Sequence, residues 1–250
     1  PVLAETTANF GIMSDYIFRG MYRSNSAAFG GLDITLDNGI YMGMWGTEVG
    51  GGAPVLLDND TDTLIVRGNG LEYDLYFGYA GGNEDFSWNV GYTGYFFTDE
   101  FDNTYEEINA GFAVGFLDLQ VAIGDYKNIE GQIMSLGTPP NRFRKQTYTV
   151  VEATFTPEVG PYYLVGRSDF HNIRGVPGAT GSKGMWFEVG KNFEVADGLE
   201  MGVAAIYTPD AANPSDNEIG AGRSVFLSAS DPFAEYAITA HITKTLTLGN

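Results

Sequence analysis

The sequence predicts an all-β fold, a transmembrane antiparallel up-and-down barrel of about 12 strands, with 10 or 14 as the neighbouring counts. Three observations carry this expectation. Large apolar side chains recur at every second position, as in "LEYDLYFGYAGGNEDFSWNVGYTGYFF" from Leu71 to Phe97. Successive side chains of a strand point to opposite faces, so this period builds one apolar and one polar wall. The alternating segments are about ten residues long, the length at which a tilted strand crosses a bilayer. Short and long connections alternate along the chain, as they do where tight turns lie on the periplasmic side of a membrane and long loops on the other.

In chain order the predicted strands cover 8 to 20, 27 to 36, 40 to 49, 70 to 80, 86 to 97, 105 to 114, 117 to 126, 146 to 155, 162 to 170, 184 to 193, 199 to 208 and 235 to 246. The first places Phe10, Ile12, Tyr16 and Phe18 on its apolar face, the second Leu32, Ile34 and Leu36. The "DNG" turn at Asp37 to Gly39 leads into the third. Leu71, Tyr73, Leu75, Phe77 and Tyr79 line the fourth, and after "GGNED" the fifth continues with Phe86, Trp88, Val90, Tyr92 and Phe96. Ile108, Phe112 and Val114 are followed, across Gly115, by Leu117, Leu119, Val121 and Ile123. Val151 and Phe155, then Tyr162 and Leu164 flank "TPEVGP", and Met185, Phe187 and Val189 precede "EVADG". Leu199, Met201 and Val203 and finally Tyr236, Ile238 and Ile242 complete the row. Longer links are expected at 21–26, 50–69, 98–104, 127–145, 171–183 and 209–234. No composition break divides the chain, so residues 1–250 read as one domain, with 1–7 a flexible terminus whose V-x-A pattern resembles a signal-peptidase scar.

Composition narrows the class. A mean hydropathy of -0.10 accompanies no apolar run of the length that a spanning helix needs, so a helical membrane protein is excluded. The 34 glycines, 15 tyrosines and 17 phenylalanines suit aromatic strands joined by glycine turns, and the lack of cysteine removes thiolate chemistry. A net charge of -19 repels a phosphate backbone and excludes a nucleic-acid partner.

The row opposite the apolar one carries the charges. Asp15, Arg19, Glu72, Asp74, Glu107, Asp118, Glu152, Arg167 and Glu188 are the expected lumen and selectivity residues, with Asp33, Gln120, Asp169, Glu200, Glu235 and His241 in the same row. In a soluble sandwich these acids would form a solvated outer face. Aromatic residues gathered near strand ends, among them Phe10, Tyr73, Tyr79, Phe86, Trp88 and Phe96, instead suggest the girdles of a membrane barrel, with lipid outside and water inside. The carboxylates then favour cations, and Arg19 and Arg167 set a transverse field against them.

Catalytic patterns are missing. His171 and His241 lack metal-ligand spacing, and no G-x-S-x-G, P-loop or H-E-x-x-H occurs, so no enzyme is expected. Asp58, Asp60 and Asp62 alternate in "LDNDTDT" as calcium ligands do, without the glycine and terminal glutamate of an EF-hand; they are a candidate external calcium site. Asp99, Glu100 and Asp102 form a weaker acidic group. Basic residues gather in or beside the predicted long loops, where lipopolysaccharide phosphates are the expected partner.

Four segments, "SDYIFRG" (Ser14 to Gly20), "GLDITLDNGIYMGMWGTEV" (Gly31 to Val49), "LEYDLYFGY" (Leu71 to Tyr79) and "NVGYTGYFF" (Asn89 to Phe97), resemble the TorF family of porin-like proteins of proteobacteria. That group is defined more by sequence than by demonstrated transport. The resemblance implies an outer-membrane barrel and a pore, and no catalytic residues. The chain ends in "TLTLGN", not in the terminal aromatic residue typical of such barrels. The expected function is therefore passive diffusion of small hydrophilic solutes, in a monomer or a homo-oligomer of the outer membrane. A non-conducting structural or adhesive barrel, assembling through its external loops, is the alternative. A soluble carbohydrate-binding sandwich is a third class, distinguished by purification without detergent.

Overall fold

The computed structural model describes residues 4–50, 55–56, 64–65, 70–83, 85–98, 104–128, 144–171, 183–209 and 236–249. Twelve long strands close into one antiparallel barrel: β1 (Ala4–Phe18), β2 (Met21–Leu36), β3 (Ile40–Val49), β6 (Gly70–Gly82), β7 (Phe86–Phe97), β8 (Tyr105–Val114), β9 (Leu117–Asn128), β10 (Arg144–Phe155), β11 (Tyr162–Phe170), β12 (Lys183–Ala196), β13 (Leu199–Tyr207) and β14 (Tyr236–Gly249). A two-residue pair, β4 (Val55–Leu56) and β5 (Leu64–Ile65), lies between β3 and β6. Each barrel strand pairs with its sequence neighbours in the barrel, and β1 pairs with β14, so the strand order closes on itself.

The period-two pattern sets which face is which. Phe10, Ile12, Met42, Leu75, Phe77, Trp88, Ile108, Val121, Phe187 and Met201 all point outward and are exposed. A soluble core would cover such residues; here they form a continuous apolar outer surface, the expected lipid-facing wall. Two aromatic belts bound it. Tyr79 packs on Trp88 and Phe116 on Phe155 at the short-turn end, at ring separations of 5.7 and 4.8 Å. Tyr73 stacks on Phe96 and Tyr207 on Tyr236 at the other end, at 5.3 and 4.7 Å. From Leu71 to Tyr79 the outer row rises about 20 Å along a barrel axis, given about 3.4 Å per residue and a tilt of about 40°.

Inward-pointing glycines carry the aromatic rings of the lumen. Tyr76 lies over Gly43, Tyr148 over Gly124, Trp186 over Gly166 and Tyr162 over Gly190, so a methyl group at any of these glycines would strike the ring. At Gly43 the ring lies 2.6 Å from where a Cβ would stand. Flat rings thus lie along the wall and stiffen it where the backbone has no side chain.

The Gly166–Trp186 pair corrects the reading of β11. In "YYLVGRSDF" four large residues run together, and the parity predicted from them is inverted. Gly166 must face in to admit Trp186, which brings Tyr162 and Leu164 inside and turns Tyr163, Val165, Arg167 and Asp169 outward. Arg167 is exposed, and Asp169 pairs with Lys183 at 3.4 Å on the outer surface. Neither is a lumen residue.

The largest departure is at the first hairpin. A long external link was expected at 21–26, but β1 and β2 are joined by the two residues Arg19 and Gly20, both in the left-handed region with φ of 51° and 73°. Two successive positive φ values make the sharp turn whose twist suits a hairpin. This hairpin leaves the wall. Pairing of β1 with β14 stops at Met13–His241, and pairing of β2 with β3 stops at Phe29–Thr47. Ser26, opposite Ser14, has φ of 52° and marks the bend. Side chains take over the freed backbone groups: Ser14 Oγ accepts from the Ala240 N–H at 2.9 Å, and Thr47 Oγ1 donates to the Ala28 carbonyl at 3.1 Å. Residues 14–28 bend into the lumen, and so Tyr16 and Phe18, expected against lipid, lie inside.

Candidate functional site

The inturned hairpin crosses the barrel and docks on the opposite wall. Its tip touches strands from nearly the whole circumference. Tyr16 donates a hydrogen bond to Glu72 of β6 at 2.8 Å, and the Phe18 ring lies 5.4 Å from that of Tyr95 on β7. Thr208, just after β13, donates to the Gly20 carbonyl at 3.3 Å. Arg19 reaches β8 and β10, on the wall opposite β1.

Glu107 is the centre of the site. Its carboxylate is 2% exposed and accepts four hydrogen bonds: from Arg19 Nη1 and Nη2 at 2.9 and 3.0 Å, and from the hydroxyls of Tyr95 and Tyr148 at 2.9 and 3.0 Å. A carboxylate offers about four lone-pair sites, so these donors saturate it. The guanidinium fork matches the carboxylate in a bidentate, charge-assisted pair, the strong form of this interaction. Glu152 stands 3.8 Å from Arg19 Nε and leaves that nitrogen without a hydrogen-bond acceptor. Arg19 also lies 4.8 Å from the Phe18 ring centre.

A second pair of charges surrounds this core. Glu72 and Asp74, two apart on β6, face inward at 1% and 8% exposure. Arg23 of the hairpin is buried beside the rings of Phe97 and Tyr105, 5.5 and 5.9 Å away, and faces the same cavity as Glu72 and Arg19. Tyr105, Tyr126, Tyr148 and Phe170 pack ring on ring at 4.5 to 5.9 Å and fill the remaining space. The cavity among them, of about 20 Å³, has room for about one water molecule. In this half, among the described residues, the barrel is a packed core and not the water-filled passage that the alternation suggested.

The other half of the lumen is polar. Asn9 donates to Asp33 at 3.2 Å, and Tyr76 donates to the same carboxylate. Gln120 donates to Asp118 at 3.1 Å, and Tyr162 donates to Glu188. His241 faces Glu200 at 3.7 Å near the short-turn end. Asp118, Glu152 and Glu188 face into the barrel in this half, while Asp15 sits half-buried on the inturned arm of the hairpin.

Of the nine predicted lumen residues, the hairpin brings Arg19 together with Glu107 and Glu152, and holds Glu72 and Asp74 nearby; Arg167 is on the outside. Tyr16, expected on the lipid-facing row, completes the site with Arg23, Tyr95 and Tyr148, and none of the four was read from the sequence as a site residue. The signal for them was faint. "FRGM" is a turn only if Arg19 takes a left-handed backbone, which asparagine or aspartate does more readily than arginine. Asp58, Asp60 and Asp62, like Asp99, Glu100, Asp102 and Glu235, lie outside the described residues. Among the described residues, no group of three or more histidine or acidic side chains is placed to hold a metal ion.

A family model described as "bacterial protein of unknown function (Gcw_chp)" matches residues 3–172, a span that contains the hairpin and Glu72, Tyr95, Glu107, Tyr148 and Glu152, though not Trp186 or Thr208. No curated protein matches the chain. Three solved structures are similar in fold at low identity. A chain from work on the in-meso crystallization of membrane proteins has 8% identity and a TM-score of 0.49, covering 98% of this chain and 84% of that one. OmpF of Salmonella typhi, in complex with daunomycin, has 9% identity and a TM-score of 0.41 over 98% and 97%. Outer membrane phospholipase A of Escherichia coli has 9% identity and a TM-score of 0.40 over 99% and 98%.

Proposed function

We propose that this chain, which belongs to the Gcw_chp family of bacterial proteins, is an outer-membrane, porin-type barrel for small hydrophilic cations and neutral solutes, held closed by its first hairpin. The observation that carries this reading is the Arg19–Glu107 pair, made across the lumen by a hairpin that has left the wall. A purely structural barrel needs no charged hairpin folded across its interior. The exposed apolar surface between two aromatic belts supports a lipid environment, and the short-turn end, which carries both ends of the strand order, is then periplasmic. The likeness of "SDYIFRG" and the three further segments to TorF-family porins supports the same function. Lipid and lipopolysaccharide cover the outer wall in this reading, self-association uses that wall, and no reaction is catalysed.

Solutes enter the polar half from the periplasmic side and meet Asp118, Glu188 and Glu152 before the hairpin. These acids make the vestibule cation-leaning. The second reading, a non-conducting scaffold or adhesin, is favoured by one observation: Glu107 is saturated, so the closed state is strongly held. Planar-bilayer recordings separate the two. Brief openings with a cation-side reversal potential in a salt gradient are expected, and the preference should fall in Glu152→Gln combined with Asp118→Asn. A barrel that stays silent even when Gly20→Val disturbs the turn would refute the channel and leave the scaffold.

A further inference from the structure

We propose that the wall around Glu107 is a binding site for a guanidinium- or amine-bearing cation, and that Arg19 occupies it in place of such a solute. This names the solute class of the channel reading and rests on that reading for transport, but not for binding.

The site and its occupant belong to different elements. Glu107, Tyr95, Tyr148 and Glu152 stand on β8, β7 and β10, part of the closed wall, whereas Arg19 belongs to the hairpin that has left it. The two tyrosine hydroxyls fill half of the carboxylate's acceptor sites and orient it, and the other half meets the guanidinium. A carboxylate this deeply buried is costly to leave without a counter-charge, so a cation that takes the place of Arg19 is favoured over an empty site.

The charges of the compartment point the same way. The hairpin brings Arg19 and Arg23; the wall brings Glu72, Asp74, Glu107 and, partly exposed, Glu152. Among the described residues acids exceed bases even with the hairpin docked, and Asp74 Oδ1, buried in this compartment, takes no hydrogen bond from them. Withdrawing the hairpin would leave four carboxylates facing Tyr95, Tyr105 and Tyr148, whose ring faces attract a desolvated cation. An anion meets repulsion there. A planar fork of donors fits Glu107 in two parallel bonds, which a sodium ion does not reproduce.

The test is chemical rescue in the full chain, using agmatine as the probe. Arg19→Gln should melt several degrees below the parent in detergent micelles. Agmatine, titrated at constant ionic strength, should restore part of that loss in a saturable way, while leaving the parent and the double variant Arg19→Gln with Glu107→Gln unmoved. Rescue no greater than that by sodium chloride, or equal in the double variant, overturns the site. If Arg19→Gln does not fold, its refolding yield with and without agmatine is the same measurement. Bilayer recordings keep the two readings apart. An Arg19→Gln barrel that conducts potassium but neither passes agmatine nor is blocked by it refutes the site and keeps the channel; one rescued by agmatine that never conducts keeps the site and refutes the channel.

Discussion

Glu107 is held by four donors from three elements, and each donor offsets part of the desolvation of one buried carboxylate. A hydrogen bond to a charged group contributes about 1.5–3 kcal/mol. Tyr148→Phe removes one such bond while keeping the ring that packs on Tyr105 and Phe170 at 5.9 and 5.1 Å. Its expected cost is in that range, measured by denaturant unfolding in detergent. Tyr95→Phe should cost about the same, and the pair more than the sum, because three remaining donors can tighten on the carboxylate after one is lost but not after two. Losses of a few tenths of a kcal/mol for both single variants would mean that the carboxylate is hydrated and the network unimportant. The alternation placed Tyr95 and Glu107 on the same inner wall, but nothing in the spacing of residues 95, 107 and 148 told that their side chains meet at one point. That meeting depends on the register of β7, β8, β9 and β10, which is set by many weak cross-strand contacts.

The hairpin behaves as an element built to be held from outside itself. Its turn places Arg19 in a left-handed backbone that costs an L-residue about 1–2 kcal/mol, and the ion pair to Glu107 offsets this. Gly20, with φ of 73°, is pressed against β12: a Cβ there would stand 2.8 Å from the Trp186 Cβ and 3.1 Å from Thr208 Oγ1. Gly20→Val therefore meets both backbone strain and overpacking, with an expected loss of about 1–3 kcal/mol and a marked rise in open probability in bilayer recordings. A loss of stability with no change in conductance would show that the turn supports the barrel without closing it. This element was hidden in the sequence for a physical reason. The alternation of the arms reads the same whether they stay in the wall or fold inward, so Tyr16 and Phe18 look lipid-facing. Only the loss of partners on β3 and β14 distinguishes the two arrangements, and that is a long-range property.

At the scale of the whole barrel, much more was legible. Eleven of the twelve strands were placed within four residues of their observed bounds because each repeats the same two-residue period between glycine-rich turns, while β2 starts six residues earlier than predicted. The outer row was correct for every strand except β1, whose end folds inward, and β11. β11 failed because "YYLV" offers two equal parities, which Gly166 and Trp186 then decide from across the strand pair. The decision between a membrane wall and a soluble core can be tested on two adjacent residues of β9. Val121 faces outward between Ala110 and Val151, near the middle of the apolar band, while Gln120 faces inward between Gly111 and Glu152, close to Asp118. Val121→Arg places a charge in hydrocarbon and should cost about 2–4 kcal/mol when unfolding is followed in lipid bilayers. Gln120→Arg adds the same side chain to an acidic, hydrated lumen and should cost far less, with Asp118 and Glu152 as partners. In a soluble sandwich the outcome would be different: with the apolar row buried, Val121→Arg would prevent folding in detergent and bilayer alike, and the chain would purify without either. Equal tolerance of both substitutions would show that the outer face meets water, and the proposed channel, hairpin gate and cation site would lose the membrane they are proposed to act across.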